Sequence, residues 1–160
     1  MIFRVGLIGN RAHQNSYGPV LKGREDCQIV ALAEHHPEKA RGLEEVYGLP
    51  CSADYDAVLE NPEVDLVSIA PDFYLKLPLI QKAVACGKHV LVDKALARTV
   101  QEAKGIVEAA EGSDVKIVLS YPFRFQPDLA RLSGALRSGE YGRVVSYTHH
   151  FIRQFPDGDL

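Results

Sequence analysis

Val5-Gly6-Leu7-Ile8-Gly9-Asn10-Arg11-Ala12-His13-Gln14 decides the fold. An apolar run that leaves through glycine reads as a buried strand entering a tight turn, the opening half of a G-x-G-x-x-G unit. In that unit the second glycine lets the backbone approach a pyrophosphate, and the third lets the next helix pack on the strand. Arg11 and Gln14 stand in those two places. The stretch therefore predicts a dinucleotide-type turn with Gly9, Asn10, Arg11 and Ala12 facing the phosphates, its affinity lowered by crowding from Arg11 and Gln14. Arg11 and His13 keep two readings, either filling the space of a pyrophosphate or donating to it.

Outward from this turn, short apolar runs alternate with segments of helical period. The runs are Ile2 to Ile8, Gln28 to Ala33, Val64 to Ala70, His89 to Val92 and Val115 to Leu119. Such alternation implies a parallel sheet covered on both faces. Pro37 at a first helical position and Gly48 bracket one helix, and Asp54 can cap another. A third runs from about Leu75 to Cys86 and stops at Gly87. Thr99-Val100-Gln101-Glu102 reads as a capping box, threonine and glutamate each serving the other's backbone donor. The expected architecture is a doubly wound α/β domain over residues 1–121. Residues 122–160 then read as a linking helix opened by Pro127 and closed by Gly139, and the first strand, Arg143 to Ile152, of an incomplete second α/β domain. A solitary strand needs a partner, so self-association through residues 143–152 is expected.

With 160 residues, 46% hydrophobic and 24% charged, the chain can bury a sizeable core. A net charge of -3 and scattered Lys and Arg argue against nucleic acid as a partner. No apolar run approaches the length of a membrane span, and no secretory signal pattern opens the chain, so the expectation is a cytoplasmic protein. Cys27, Cys51 and Cys86 lack the number and spacing of a disulfide framework or a metal knuckle. The histidine pairs 35/36 and 149/150 are adjacent in sequence and predict no metal site.

Glu34 ends the second strand about 20 residues past the glycine turn, where a carboxylate can hydrogen-bond the adenosine ribose of NAD. It also repels the extra phosphate of NADP, a preference softened by His35, His36 and Lys39. Further motifs follow: Tyr55-x-x-Val58-Leu59-x-x-Pro62-x-Val64-Asp65, Ala85-Cys86-Gly87-Lys88-His89-Val90, Asp93-Lys94-Ala95-Leu96-Ala97 and Tyr121-x-x-Arg124-Phe125-x-Pro127. In this order they resemble the N-terminal half of the Gfo/Idh/MocA oxidoreductases, from Phe3 to about Phe151.

The resemblance implies a Rossmann-like NAD(P)-binding domain, with NAD(H) favoured over NADP(H), of a dehydrogenase acting on a sugar or polyol. It implies cofactor contacts at Ala70, Pro71, Asp93 and Lys94, and makes Lys94 the catalytic residue beside nicotinamide and the reacting hydroxyl. Three departures matter. Asp93-Lys94-Ala95 stands where relatives carry Glu-Lys-Pro. Ala70-Pro71 shifts the proline of Thr-Pro-x-x-x-His by one place and puts Lys76 where the histidine belongs. The family's downstream Asp-x-x-x-His acid-base pair does not occur within these 160 residues. The resemblance therefore implies a domain inactive as an isolated chain, against the alternative of a non-catalytic binding, regulatory or interaction module on the same fold.

Overall fold

The computed structural model describes residues 2–11, 14–148 and 150. Six parallel strands form one sheet: β1 (Phe3–Ile8), β2 (Cys27–Ala33), β3 (Cys51–Ser52), β4 (Leu66–Ile69), β5 (His89–Asp93) and β6 (Ile117–Ser120). Their order across the sheet is β3-β2-β1-β4-β5-β6, the doubly wound arrangement in which strand order reverses between β1 and β4. The helices are α1 (Gln14–Lys22), α2 (Pro37–Tyr47), α3 (Asp56–Leu59), α4 (Lys76–Ala85), α5 (Val100–Ala110) and α6 (Pro127–Ser138). The chain divides after Tyr121 into two compact units.

Alternation along β1 explains the two cores of the first unit. Val5 and Leu7 point to one face and pack with Leu32 and Leu43, while Ile8 points to the other and joins Leu59, Ile69, Leu79, Ile80 and Ile106. Each of these side chains, when fully buried, contributes about 1.5–3 kcal/mol of transfer free energy. Burial on both faces is why the strands read as nearly continuous apolar runs.

The helix ends follow their sequence signals with one difference, at the start of α5. Pro37 opens α2 and Gly48 closes it at φ +69°, as Gly139 closes α6 at φ +78°. Asp54 accepts from the Asp56 amide at 2.9 Å, which holds the start of α3. At α5, Thr99 accepts from the Glu102 amide at 3.1 Å, but Glu102 binds the amide and guanidinium of Arg98 instead of returning to Thr99. The two-residue β3 has no expectation behind it, because so short a pair carries no readable period. The strand expected over 143–152 is absent over 144–148 and at 150, and 149, 151 and 152 lie outside the described residues. Alternation marks only which face a strand would bury; without a ladder partner the backbone groups gain nothing from extension.

No helix among the described residues is long and apolar enough to cross a membrane.

Candidate functional site

In a doubly wound sheet the loops after β1 and β4 leave toward opposite faces, opening a crevice at the carboxyl ends of the strands. The first wall is built by Gly9. Its φ is +78°, its amide donates to the Ala33 carbonyl at 2.8 Å, and a Cβ there would lie 2.5 Å from the Ala70 oxygen and from backbone atoms of Pro71. Only glycine lets this turn press against the end of β4. The contact is fastened by Ala70 donating to the Ile8 carbonyl at 2.8 Å and by the Arg11 amide donating to the Ala70 carbonyl at 3.0 Å.

Gln14 does not crowd this turn. Its side chain is fully buried beneath α1, where its Oε1 accepts from the hydroxyl of Ser68 on β4 at 2.8 Å. The inward direction is available because the small Ser68 faces it from the neighbouring strand. Arg11 remains at the mouth, its guanidinium ion-paired with Asp72 and 5.8 Å over the ring of Phe73. Since Arg11 follows β1 and Asp72 follows β4, the pair bridges the crevice. Ala12 lies outside the described residues.

Glu34 stands at the end of β2 as expected, but its carboxylate is turned inward. Oε2 accepts from the Asn10 amide at 2.8 Å and Oε1 from the His36 amide at 2.9 Å, with the side chain 1% exposed. The acid thus ties the glycine turn to the second strand, and a ribose would have to share oxygens that already hold backbone donors. The Asn10 Oδ1 is buried without a hydrogen-bond partner among the described residues, a second acceptor beside the same turn. Tyr55 lies against His35 here; burial, and then the Glu34 charge, push its hydroxyl up to about 12, so it stays protonated at neutral pH.

On the far side of β4, β5 carries Asp93 to its carboxyl end, where it is 2% exposed, and Lys94 follows with its side chain in solvent. The Lys94–Ala95 peptide is cis. Beneath it lies a residue whose importance the sequence only hinted at through its place in a motif. Lys76, at the start of α4, is 2% exposed and donates through Nζ to the carbonyls of Asp93 and Ala95, each at 2.5 Å. Its ammonium also sits 4.8 Å over the Phe73 ring. Burial lowers its pKa to about 8, against the opposing pull of Asp93. Lys76 therefore grips the backbone on both sides of Lys94.

Other motif residues serve the opposite end of the sheet. Lys88 is buried and donates to the carbonyls of Asn61 at 2.8 Å and Val64 at 2.7 Å. Asp65 accepts from Arg4, whose guanidinium and amide hold its carboxyl down at about 2. A hollow of about 570 Å³ between these residues lies at the amino ends of the strands, away from the switch point.

The crevice, its glycine turn and the lysine after β5 agree with a comparison of sequences: a family model described as an oxidoreductase family with an NAD-binding Rossmann fold matches residues 3–121. The chain belongs to the Gfo/Idh/MocA oxidoreductase family. Among proteins of this family, the levoglucosan dehydrogenase of Pseudarthrobacter phenanthrenivorans is 26% identical over 94% of the chain, which covers 41% of that protein. The chain superimposes with a TM-score of 0.76 on KijD10, a 3-ketoreductase of Actinomadura kijaniata in complex with NADP and TDP-benzene. That match is 25% identical and covers 87% of this chain and 43% of the other. An oxidoreductase of Agrobacterium radiobacter, in complex with NAD+, L-tartaric acid and magnesium, gives a TM-score of 0.81 at 22% identity, over 89% of this chain and 42% of the other, and so speaks for the shared fold. The chain spans about two fifths of the length of these relatives.

Proposed function

We propose that this Gfo/Idh/MocA chain is the dinucleotide-binding part of a dehydrogenase acting on a sugar or polyol hydroxyl, with NAD(H) favoured over NADP(H). The observation that carries the reading is the meeting, at one edge of the sheet, of the Gly9 turn, the Glu34 carboxylate, the Ala70-Pro71 loop and Lys94. Gly9, Asn10 and Arg11 would hold the phosphates, and Asn10 Oδ1 with Glu34 would receive ribose hydroxyls. The bound nicotinamide would supply the hydride acceptor. The Lys94 ammonium, held out by the Lys76 grip, stabilises negative charge on the substrate oxygen as its hydrogen leaves carbon. The hydroxyl proton needs a separate acceptor, which the downstream family pair would provide; for that reason the 160-residue chain is proposed to bind but not to turn over. A reducing, cytoplasmic setting is proposed from the sequence, where Cys27, Cys51 and Cys86 lack the number and spacing of a disulfide framework.

Titration with NADH and NADPH tests the reading. NADH should bind about tenfold more tightly, because a second phosphate near Glu34 meets like charge. A polyol panel with saturating NAD should show no reduction above that of Lys94→Ala. Tighter NADPH binding overturns the cofactor preference, and Lys94-dependent turnover by the pure chain overturns the claim of inactivity. The Arg11–Asp72 pair and the engaged Glu34 carboxylate favour a second reading, a module that keeps the fold without the cofactor. Failure of both nucleotides to bind at millimolar concentration would establish it.

The bridge across the crevice gives a further expectation. An ion pair with this exposure is worth up to about 1 kcal/mol, so Asp72→Asn, by releasing Arg11 toward phosphate, should tighten NADH about three- to fivefold. Arg11→Ala should show no such gain, and equal affinities in Asp72→Asn and the parent chain would mean that the pair does not gate the site.

A further inference from the structure

We propose that His35, His36 and Asp72 form a binding site for a zinc-type divalent cation on the rim of the crevice. His35 and His36 follow β2 and Asp72 follows β4, so the sheet joins groups that sequence adjacency alone did not connect. The His36 Nε2 lies 3.4 Å and the His35 Nε2 3.8 Å from the same oxygen, Asp72 Oδ2. Donors bound at 2.0–2.1 Å around a tetrahedral zinc stand about 3.3 Å apart. Each histidine nitrogen thus stands within about half an ångström of that spacing from Asp72 Oδ2, and ligand atoms of Glu34, His35 and His36 lie within 4.8 Å of one another.

The second observation is how His35 is held. Its Nδ1 contacts the Tyr55 hydroxyl and lies 3.6 Å from Glu34 Oε1. Oxygen partners on the Nδ1 side hold the ring with Nε2 toward Asp72, the kind of support that orients metal-binding histidines. Glu34 is itself anchored by the Asn10 and His36 amides, so this support is rigid. Arg11 occupies Asp72 Oδ1 and leaves Oδ2 to the histidines. Two imidazoles and one carboxylate suit a borderline cation such as Zn2+, Co2+ or Ni2+ better than Mg2+ or Ca2+, which prefer oxygen alone. Three protein ligands leave a fourth position for water or an incoming ligand oxygen.

The test uses the 160-residue chain and the metal alone, so it is independent of whether a dinucleotide binds. Co2+ should produce the intense visible bands of a tetrahedral site at one equivalent, and Zn2+ should displace it. His35→Asn, His36→Asn and Asp72→Asn should each weaken Zn2+ at least tenfold, and Tyr55→Phe about tenfold through the lost support. His150→Asn should change nothing. Circular dichroism of each variant separates loss of binding from loss of fold. Absence of Co2+ bands and of Zn2+ heat at millimolar metal overturns the proposal, as does undiminished binding in folded His36→Asn and Asp72→Asn.

Discussion

Replacing Gly9 by alanine should destabilise the first unit by about 3 kcal/mol and remove dinucleotide binding with it. Two costs combine. A non-glycine residue at φ +78° is strained by about 1 kcal/mol or more, and its Cβ would stand 2.5 Å from the Ala70 oxygen and from the Pro71 backbone. Backbone cannot rotate away as a side-chain tip can, so the turn must lift from β4. Lifting breaks the bonds from Gly9 to Ala33 and from Arg11 to Ala70, which shape the phosphate wall. Thermal unfolding should show the midpoint lower by about 10 °C. A folded Gly9→Ala chain with unchanged midpoint and NADH affinity would refute the close approach.

Lys76→Met should have an effect of similar size, with a pH signature. Methionine fills much the same space but leaves the Asp93 and Ala95 carbonyls without their donor, at about 1–3 kcal/mol each, partly offset by no longer burying an ammonium. In the parent chain the folded pKa of Lys76 is about 8, below the ordinary 10.5. Below about 8 the lysine is charged in both states and contributes no pH dependence. Between about 8 and 10.5 the unfolded chain holds the extra proton, so stability rises with pH through that window. The neutral amine still has two hydrogens for the two carbonyls. Denaturant titrations at pH 7, 8, 9 and 10 should therefore show the parent gaining stability relative to Lys76→Met as pH rises. Parallel curves would show that the buried ammonium does not titrate in this range. Lys76→Arg should retain the carbonyl contacts in part while staying charged throughout, which separates the grip from the titration.

Much of the architecture is legible in the sequence because its signals are local. Apolar runs flanked by Gly48, Gly87 and Gly139 give strands and helix ends, and Gly9 gives the turn, since only glycine serves there. What the sequence hides depends on neighbours brought from afar. Gln14 reads as an obstruction when judged against the glycine it replaces, yet Ser68, from another strand, gives it an interior partner. Glu34 has the right place for a ribose, but nothing local reveals that the Asn10 amide bends back to meet it. Lys76 can be aligned with a motif position, while its actual partners are backbone carbonyls 17 and 19 residues later, invisible to any side-chain pattern. Over 144–148 the alternation is present in the sequence but no strand forms, because a pattern of faces does not supply a strand to pair with.

The proposed function requires a dinucleotide in the crevice at the carboxyl ends of β1, β2, β4 and β5. Titrating NADH into the isotope-labelled chain while following backbone amide resonances tests it most directly. Saturable shifts are expected at Gly9, Asn10, Arg11, Glu34, Ala70, Asp72 and Lys94, with Arg4, Asp65 and Lys88 at the other end of the sheet unmoved. No shifts at millimolar NADH, or shifts gathered around Arg4, Asp65 and Lys88, would contradict it.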